Sequence, residues 1–190
     1  MSRPDTEASE TELAERLTSI VHATPPLMRV LSIARDLDLP DWLVFSGAIY
    51  QPVLNHLTGR APDYGIRDYD LAYFDGSDLS YDGEDAVIHH VKQAFDEPLA
   101  SMVEVRNQTR VHLWFEAKFH EPYSLLSGTA EALERFTSAT FAVGVRFEPD
   151  DRLHVDAPFF LPDLFALRLG PNPRRKTVGF AATCANVLRR

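Results

Sequence analysis

Leu13, Leu17, Ile20 and Val21 fall on one face of a helix, and the pattern stops at Pro25-Pro26. Proline is tolerated in the first turn of a helix, so Pro26 opens a second one, with Leu27, Val30, Leu31 and Ala34 turned inward. That helix is expected to end before Pro40, because the residue preceding a proline is biased away from the α region. The periodicity then changes. Residues 42–45 are a short, wholly apolar run ending at Ser46-Gly47, which predicts a buried strand entering a turn. A third helix should run from Ala48 through His56, presenting Ile49, Val53, Leu54 and Leu57 inward and stopping at Gly59.

A polar loop from Gly59 to Arg67 delivers the chain to Asp68-Tyr69-Asp70-Leu71-Ala72-Tyr73-Phe74, which reads as a central strand. A helix over 84–95 and strands near 102–107 and 110–115 follow. Further on, the pattern predicts a helix over 129–137, strands near 140–147 and 152–156, and a short helix after Pro162. No internal repeat or low-complexity segment interrupts this order. The expected organisation is one domain over 11–172, with a frayed polar tail over 1–10 and a basic segment over 173–190 that carries Arg174, Arg175 and Lys176.

Composition narrows the function classes. With 190 residues, 45% apolar and 25% charged, the chain has the profile of an ordinary globular domain. No apolar run approaches the roughly 20 residues that cross a bilayer, and residues 1–10 are acidic rather than leader-like, so no membrane role and a cytoplasmic location are expected. The single cysteine, Cys184, supplies neither an internal disulfide nor a thiolate cluster, and reads as a small buried side chain. A net charge of −9 disfavours bulk nucleic-acid binding, which relies on many cations neutralising phosphates. It is compatible with a nucleotide held through divalent cations set between carboxylates and phosphates.

Side chains alternate along a strand, so Asp68 and Asp70 project from one face while Tyr69 and Leu71 project from the other. Two carboxylates so placed can hold a pair of divalent ions about 3.5–4 Å apart, an arrangement suited to phosphoryl chemistry. Spacing alone does not establish it: Asp36 and Asp38 share that spacing at an expected helix end, and a solvated edge strand is the plain alternative for Asp68 and Asp70. Context separates the two pairs, since only Asp68-Asp70 follows a strand, a Ser-Gly turn and a helix. Asp78, Ser80, Asp82 and Gly83 match the first half of a calcium loop, but its twelfth position is His89 rather than the required glutamate. His89-His90 reads as helix surface, and His112 as a core or supporting histidine.

The run Phe45-Ser46-Gly47-Ala48-Ile49-Tyr50-Gln51-Pro52-Val53-Leu54-Asn55-His56-Leu57-Thr58-Gly59, with Asp68-Tyr69-Asp70-Leu71-Ala72-Tyr73-Phe74-Asp75, resembles a small bacterial nucleotidyltransferase family distantly related to the DNA polymerase beta superfamily. The likeness continues through 103–114 and more loosely to about residue 172. It implies an α+β fold, a nucleotidyltransferase-like mixed β-sheet flanked by helices. It also implies that Ser46, Gly47 and Ala48 cradle a triphosphate at a helix N-terminus, as free N–H groups and the helix dipole favour. Ala48 stands where the superfamily usually has serine, and Ser46 is the nearest hydroxyl. The third acid of the superfamily corresponds to Glu104, with Asp75 as its competitor; Arg106 and Asn107 offer a guanidinium and an amide to the nucleotide. The expected activity is transfer of a nucleoside monophosphate from an NTP to an unidentified acceptor, with Mg2+ or Mn2+ on Asp68, Asp70 and Glu104. The alternatives are an inactive nucleotide-binding or interaction module and a metal-dependent phosphodiesterase.

Overall fold

The computed structural model describes residues 8–174 and 179–187; the first seven residues of the expected tail, and Arg175 and Lys176 of the basic segment, lie outside them. Helix α1 (Glu10–His22) begins earlier than the apolar pattern indicates, because Ser9 and Glu12 form a reciprocal capping box. Glu10 also accepts from the Leu161 amide, so residues 8–10 are docked rather than frayed. Helix α2 (Pro25–Asp36) carries proline at its start, as expected, and ends at the Asp36-Leu37-Asp38 segment.

Strand β1 (Leu43–Phe45) is short and wholly buried, and helix α3 (Gly47–Thr58) follows it directly. Gly59 closes α3 in the left-handed conformation at φ 70°, which glycine adopts without steric cost. Along α3, Ile49 and Val53 are fully buried, as expected, whereas Leu54 and Leu57 are only partly so; Ala48, Gln51 and Asn55 take more of the buried face. Strand β2 (Tyr69–Tyr73) is succeeded by α4 (Tyr81–Gln93), a one-turn helix α5 (Leu99–Met102) and β3 (Val103–Asn107).

The chain departs from expectation after β3. In place of a second strand near 110–115 there is a 3-10 turn (Gln108–Arg110) and then helix α6 (Val111–Phe119). The cause is local: the Asn107 side chain accepts from the Thr109 amide, which turns the backbone out of the extended state at once. Gln108, which falls between the two expected strands, is buried in this turn. Later come α7 (Thr129–Leu133), shorter than the predicted 129–137, and β4 (Gly144–Phe147) with β5 (Leu153–Asp156). Two more helices, α8 (Pro162–Phe165) and α9 (Phe180–Val187), complete the described chain.

The five strands form one mixed sheet in the order β3-β2-β1-β4-β5. Only β2 and β3 run parallel; the other neighbours are antiparallel. Alternation divides the sheet into two unequal faces. Val44, Tyr69, Leu71, Tyr73, Val103, Val105 and Val145 join the large core with α1, α2 and α3. Leu43, Phe45 and Ala72 point the other way into a smaller cluster with Leu126, Ala132, Leu133 and Ala142. That second layer covers the β1 side, while Glu104 and Arg106 on β3 are exposed. The fold therefore leaves a partly open trench beside the middle of β2. Among the described residues, no helix is long and apolar enough to cross a membrane.

Candidate active site

The trench is centred on Asp70. Its neighbours in register are Phe45 on β1 and Glu104 on β3, so one carboxylate from each of two parallel strands faces the same side of the sheet. Asp68 immediately precedes β2 and carries the same parity. These are not remote charges: burial pushes the Asp70 carboxyl up to about 7, and the negative charges of Asp68 and Glu104 push in the same direction. A hydrogen bond from the Ser46 side chain and the positive charge of Arg106 act against this rise without cancelling it. Ser46, Asp68, Asp70, Glu104 and Arg106 thus form one electrostatic unit.

Ser46 reaches Asp70 because its backbone is held in an uncommon conformation. At φ 66° and ψ −137° it occupies a region normally left to glycine, at a cost on the order of 1–3 kcal/mol. Its amide is tied to the Val143 carbonyl, and its own carbonyl accepts from Ile49 and Tyr50 at the start of α3. The hydroxyl makes no cap bond to the helix, which leaves it for Asp70. The first amides of α3, at Gly47 and Ala48, have no acceptor within the helix. A Cβ added at Gly47 would make an ordinary contact with the Tyr50 ring, 3.8 Å from its hydroxyl, so a methyl group fits there. Ala48 is fully buried: its methyl belongs to the core, and only its backbone is available to a ligand.

Arg106 is exposed and donates to the Val105 carbonyl at 3.0 Å. Asn107 lies on the opposite face of β3, nearly inaccessible. Its amide nitrogen donates to the Asp75 carbonyl at 2.8 Å, and its oxygen accepts from the Asp75 and Thr109 amides. This side chain pins the loop after β2 rather than facing the trench. Hydrogen bonds from the Ser77 hydroxyl and from the Ser77 amide, the latter at 2.8 Å, hold the Asp75 carboxyl below the usual range, and its charge is not among those acting on Asp70. Of the two contenders for a third acid, Glu104 is the one beside Asp70. His89 bonds within α4 to Asp85 at the surface, and His112 is half-buried with its Nδ1 unpartnered among the described residues.

Pattern reading missed the ion pair that supports this corner. Glu84 on α4 and Arg110 in the 3-10 turn are buried together, the Glu84 carboxylate also accepts from the Asn107 amide at 2.9 Å, and Arg110 donates to the Leu79 carbonyl at 2.9 Å. A glutamate predicted on a helix and an arginine predicted on a strand gave no spacing signal for this contact. Among the described residues no three His, Cys, Asp or Glu side chains converge closely enough to cage an ion unaided. Paired hard oxygens suit an ion such as Mg2+, which keeps water and completes its shell with substrate phosphate.

A family described as nucleotidyltransferase matches residues 32–188. No curated protein matches the sequence. A solved NMR structure described as revealing a CCA-adding enzyme head domain is similar over 84% of this chain and 78% of its own, with a TM-score of 0.68 at 22% identity. At that identity the likeness establishes the fold, and the mixed sheet flanked by helices agrees with it.

Proposed function

Since the chain belongs to the nucleotidyltransferase family, we propose that it moves a nucleoside monophosphate from an NTP to an acceptor hydroxyl, using Asp68, Asp70 and Glu104 with Mg2+ or Mn2+. One observation carries the reading: a carboxylate pushed up to about 7 by burial and by two neighbouring acids, directly beside the open amides of a helix N-terminus. Such a site is electrostatically incomplete, and a cation with a polyphosphate relieves it. The divalent ion supplies charge neutralisation for the attacking and leaving oxygens.

The protein's own groups divide the remaining work. The Gly47 and Ala48 amides, at the positive end of α3, hold the phosphates that depart. Ser46 fixes the orientation of the Asp70 carboxylate, and Arg106 supplies a positive charge at the trench edge. The acceptor oxygen forms a bond to the α-phosphorus as the bond to the β-phosphate oxygen breaks. The hydroxyl proton passes to a carboxylate of the acidic set, and pyrophosphate leaves. Catalysis on this account is positioning and charge stabilisation. The acidic surface, at a net charge of −9, disfavours long nucleic acid as a general ligand, and supply of NTP and Mg2+ suits a cytoplasmic setting.

The reading is tested with α-labelled NTP, Mg2+ and a panel of hydroxyl acceptors. Label should move to an acceptor with release of pyrophosphate, and Asp70→Asn should abolish it. Release of labelled nucleoside monophosphate into water without acceptor modification would instead indicate a hydrolase.

A further inference from the structure

A cavity of about 470 Å³ opens next to the acidic trench, and Ser46 belongs to both. On one side the Ser46 hydroxyl bonds Asp70; on the other, the residue walls a space built largely from aromatic rings, those of Tyr50, Phe115, Phe119, Phe136 and Phe141. Tyr50 and Phe141 stack at 4.1 Å between centroids, and Phe136 meets Phe45 edge to face at 5.4 Å. Phe115 and Phe119 come from α6, their rings 4.7 Å apart. Phe119 is 49% exposed at the cavity mouth, with the Lys118 ammonium 5.2 Å from its ring centre.

We propose that this cavity receives the nucleobase of the donor nucleotide, with Phe119 and Phe115 as the stacking faces. The inference rests on the reading of the trench as the phosphate site. A nucleotide held by its α-phosphate at Asp70 carries its base one ribose away, and Ser46, which bonds Asp70 and lines the cavity, links the two spaces. The size falls within the range of small-molecule sites.

The polar lining points to the kind of selectivity. Ser138 donates to the Gly170 carbonyl at 2.8 Å, Thr137 and Thr183 pair at 3.0 Å, and Arg135 bonds Glu131 at 2.9 Å. Each of these side chains already has a partner within the protein, so the cavity distinguishes bases mainly by ring area. Purine nucleotides are preferred modestly, and both purines are accepted, as expected of a stacking platform.

The test is calorimetry with Mg2+ and ATP, GTP, CTP or inorganic tripolyphosphate, on the wild-type protein, Asp70→Asn, Phe119→Ala and Phe119→Trp. Phe119→Ala should weaken ATP binding about fivefold or more while leaving tripolyphosphate binding unchanged, and Phe119→Trp should restore ATP. Unchanged ATP affinity in Phe119→Ala, or equal losses for ATP and tripolyphosphate, would overturn the base site, as would tighter binding of CTP than of both purines. Failure of the underlying phosphate site looks different: tripolyphosphate would not bind the wild type, or would bind Asp70→Asn equally well. Matching melting temperatures for the Phe119 variants exclude a folding effect.

Discussion

Asp70 is a carboxylate kept where its charge is unfavourable, which gives it a thermodynamic signature in the absence of ligand. Its folded value of about 7 lies above the ordinary 3.8. The stability associated with its protonated form is therefore complete below the unfolded value and is lost as pH rises through about 7. In metal-free buffer, Asp70→Asn should raise stability at pH 8, by up to the order of 4 kcal/mol, and flatten the pH dependence between about 4 and 7. Urea melts of both proteins across that range measure it; a destabilised Asn variant with an unchanged pH profile would contradict the buried-acid account. Ser46 shows the same exchange of stability for function. Ser46→Gly should relieve the strained backbone and gain about 1 kcal/mol or more, while removing the bond to Asp70 and weakening Mg2+-NTP binding. Alternation along the strand placed Asp68 and Asp70 on one face from the sequence alone. The strain at Ser46 and the burial of Asp70 come from long-range packing and have no sequence signature.

The elements around the site differ in how far the pattern foretold them. Helices α1 to α3 and strand β2 follow from apolar periodicity, prolines and glycines, because each buries one well-defined face. The sequence of helix α6 suggests a strand because its apolar residues, Leu113, Trp114, Phe115 and Phe119, surround the axis rather than forming a stripe. Phe115 and Phe119 line the cavity instead of the main core, and a helix used that way loses its period. The support for β3 was equally hidden. Arg110→Ala leaves Glu84 buried without its partner and should destabilise the fold by about 3–5 kcal/mol, read in chemical denaturation. At the start of α3 the expectation is the reverse. Gly47→Ala meets no atom within 3.8 Å and sits in a helix turn, so the melting temperature should hold or rise while NTP affinity falls through crowding of the phosphate space.

At the scale of the molecule, the sheet order brings together residues far apart in sequence. Parallel pairing of β2 with β3 sets Glu104 beside Asp70, and antiparallel pairing of β1 with β2 sets the Ser46 turn against the same residue. Neither pairing follows from local pattern; the expectation came from the resemblance to a nucleotidyltransferase family, and the match over residues 32–188 supports the family and the head-domain likeness the fold. The central claim is that the acids and the α3 amides form one metal-dependent nucleotide site. Calorimetric titration of NTP in the presence of Mg2+, for wild type and for Asp68→Asn with Asp70→Asn, tests it most directly. The account predicts binding by the wild type, loss on chelation of Mg2+, and none by the double variant. Equal binding by both proteins would contradict it.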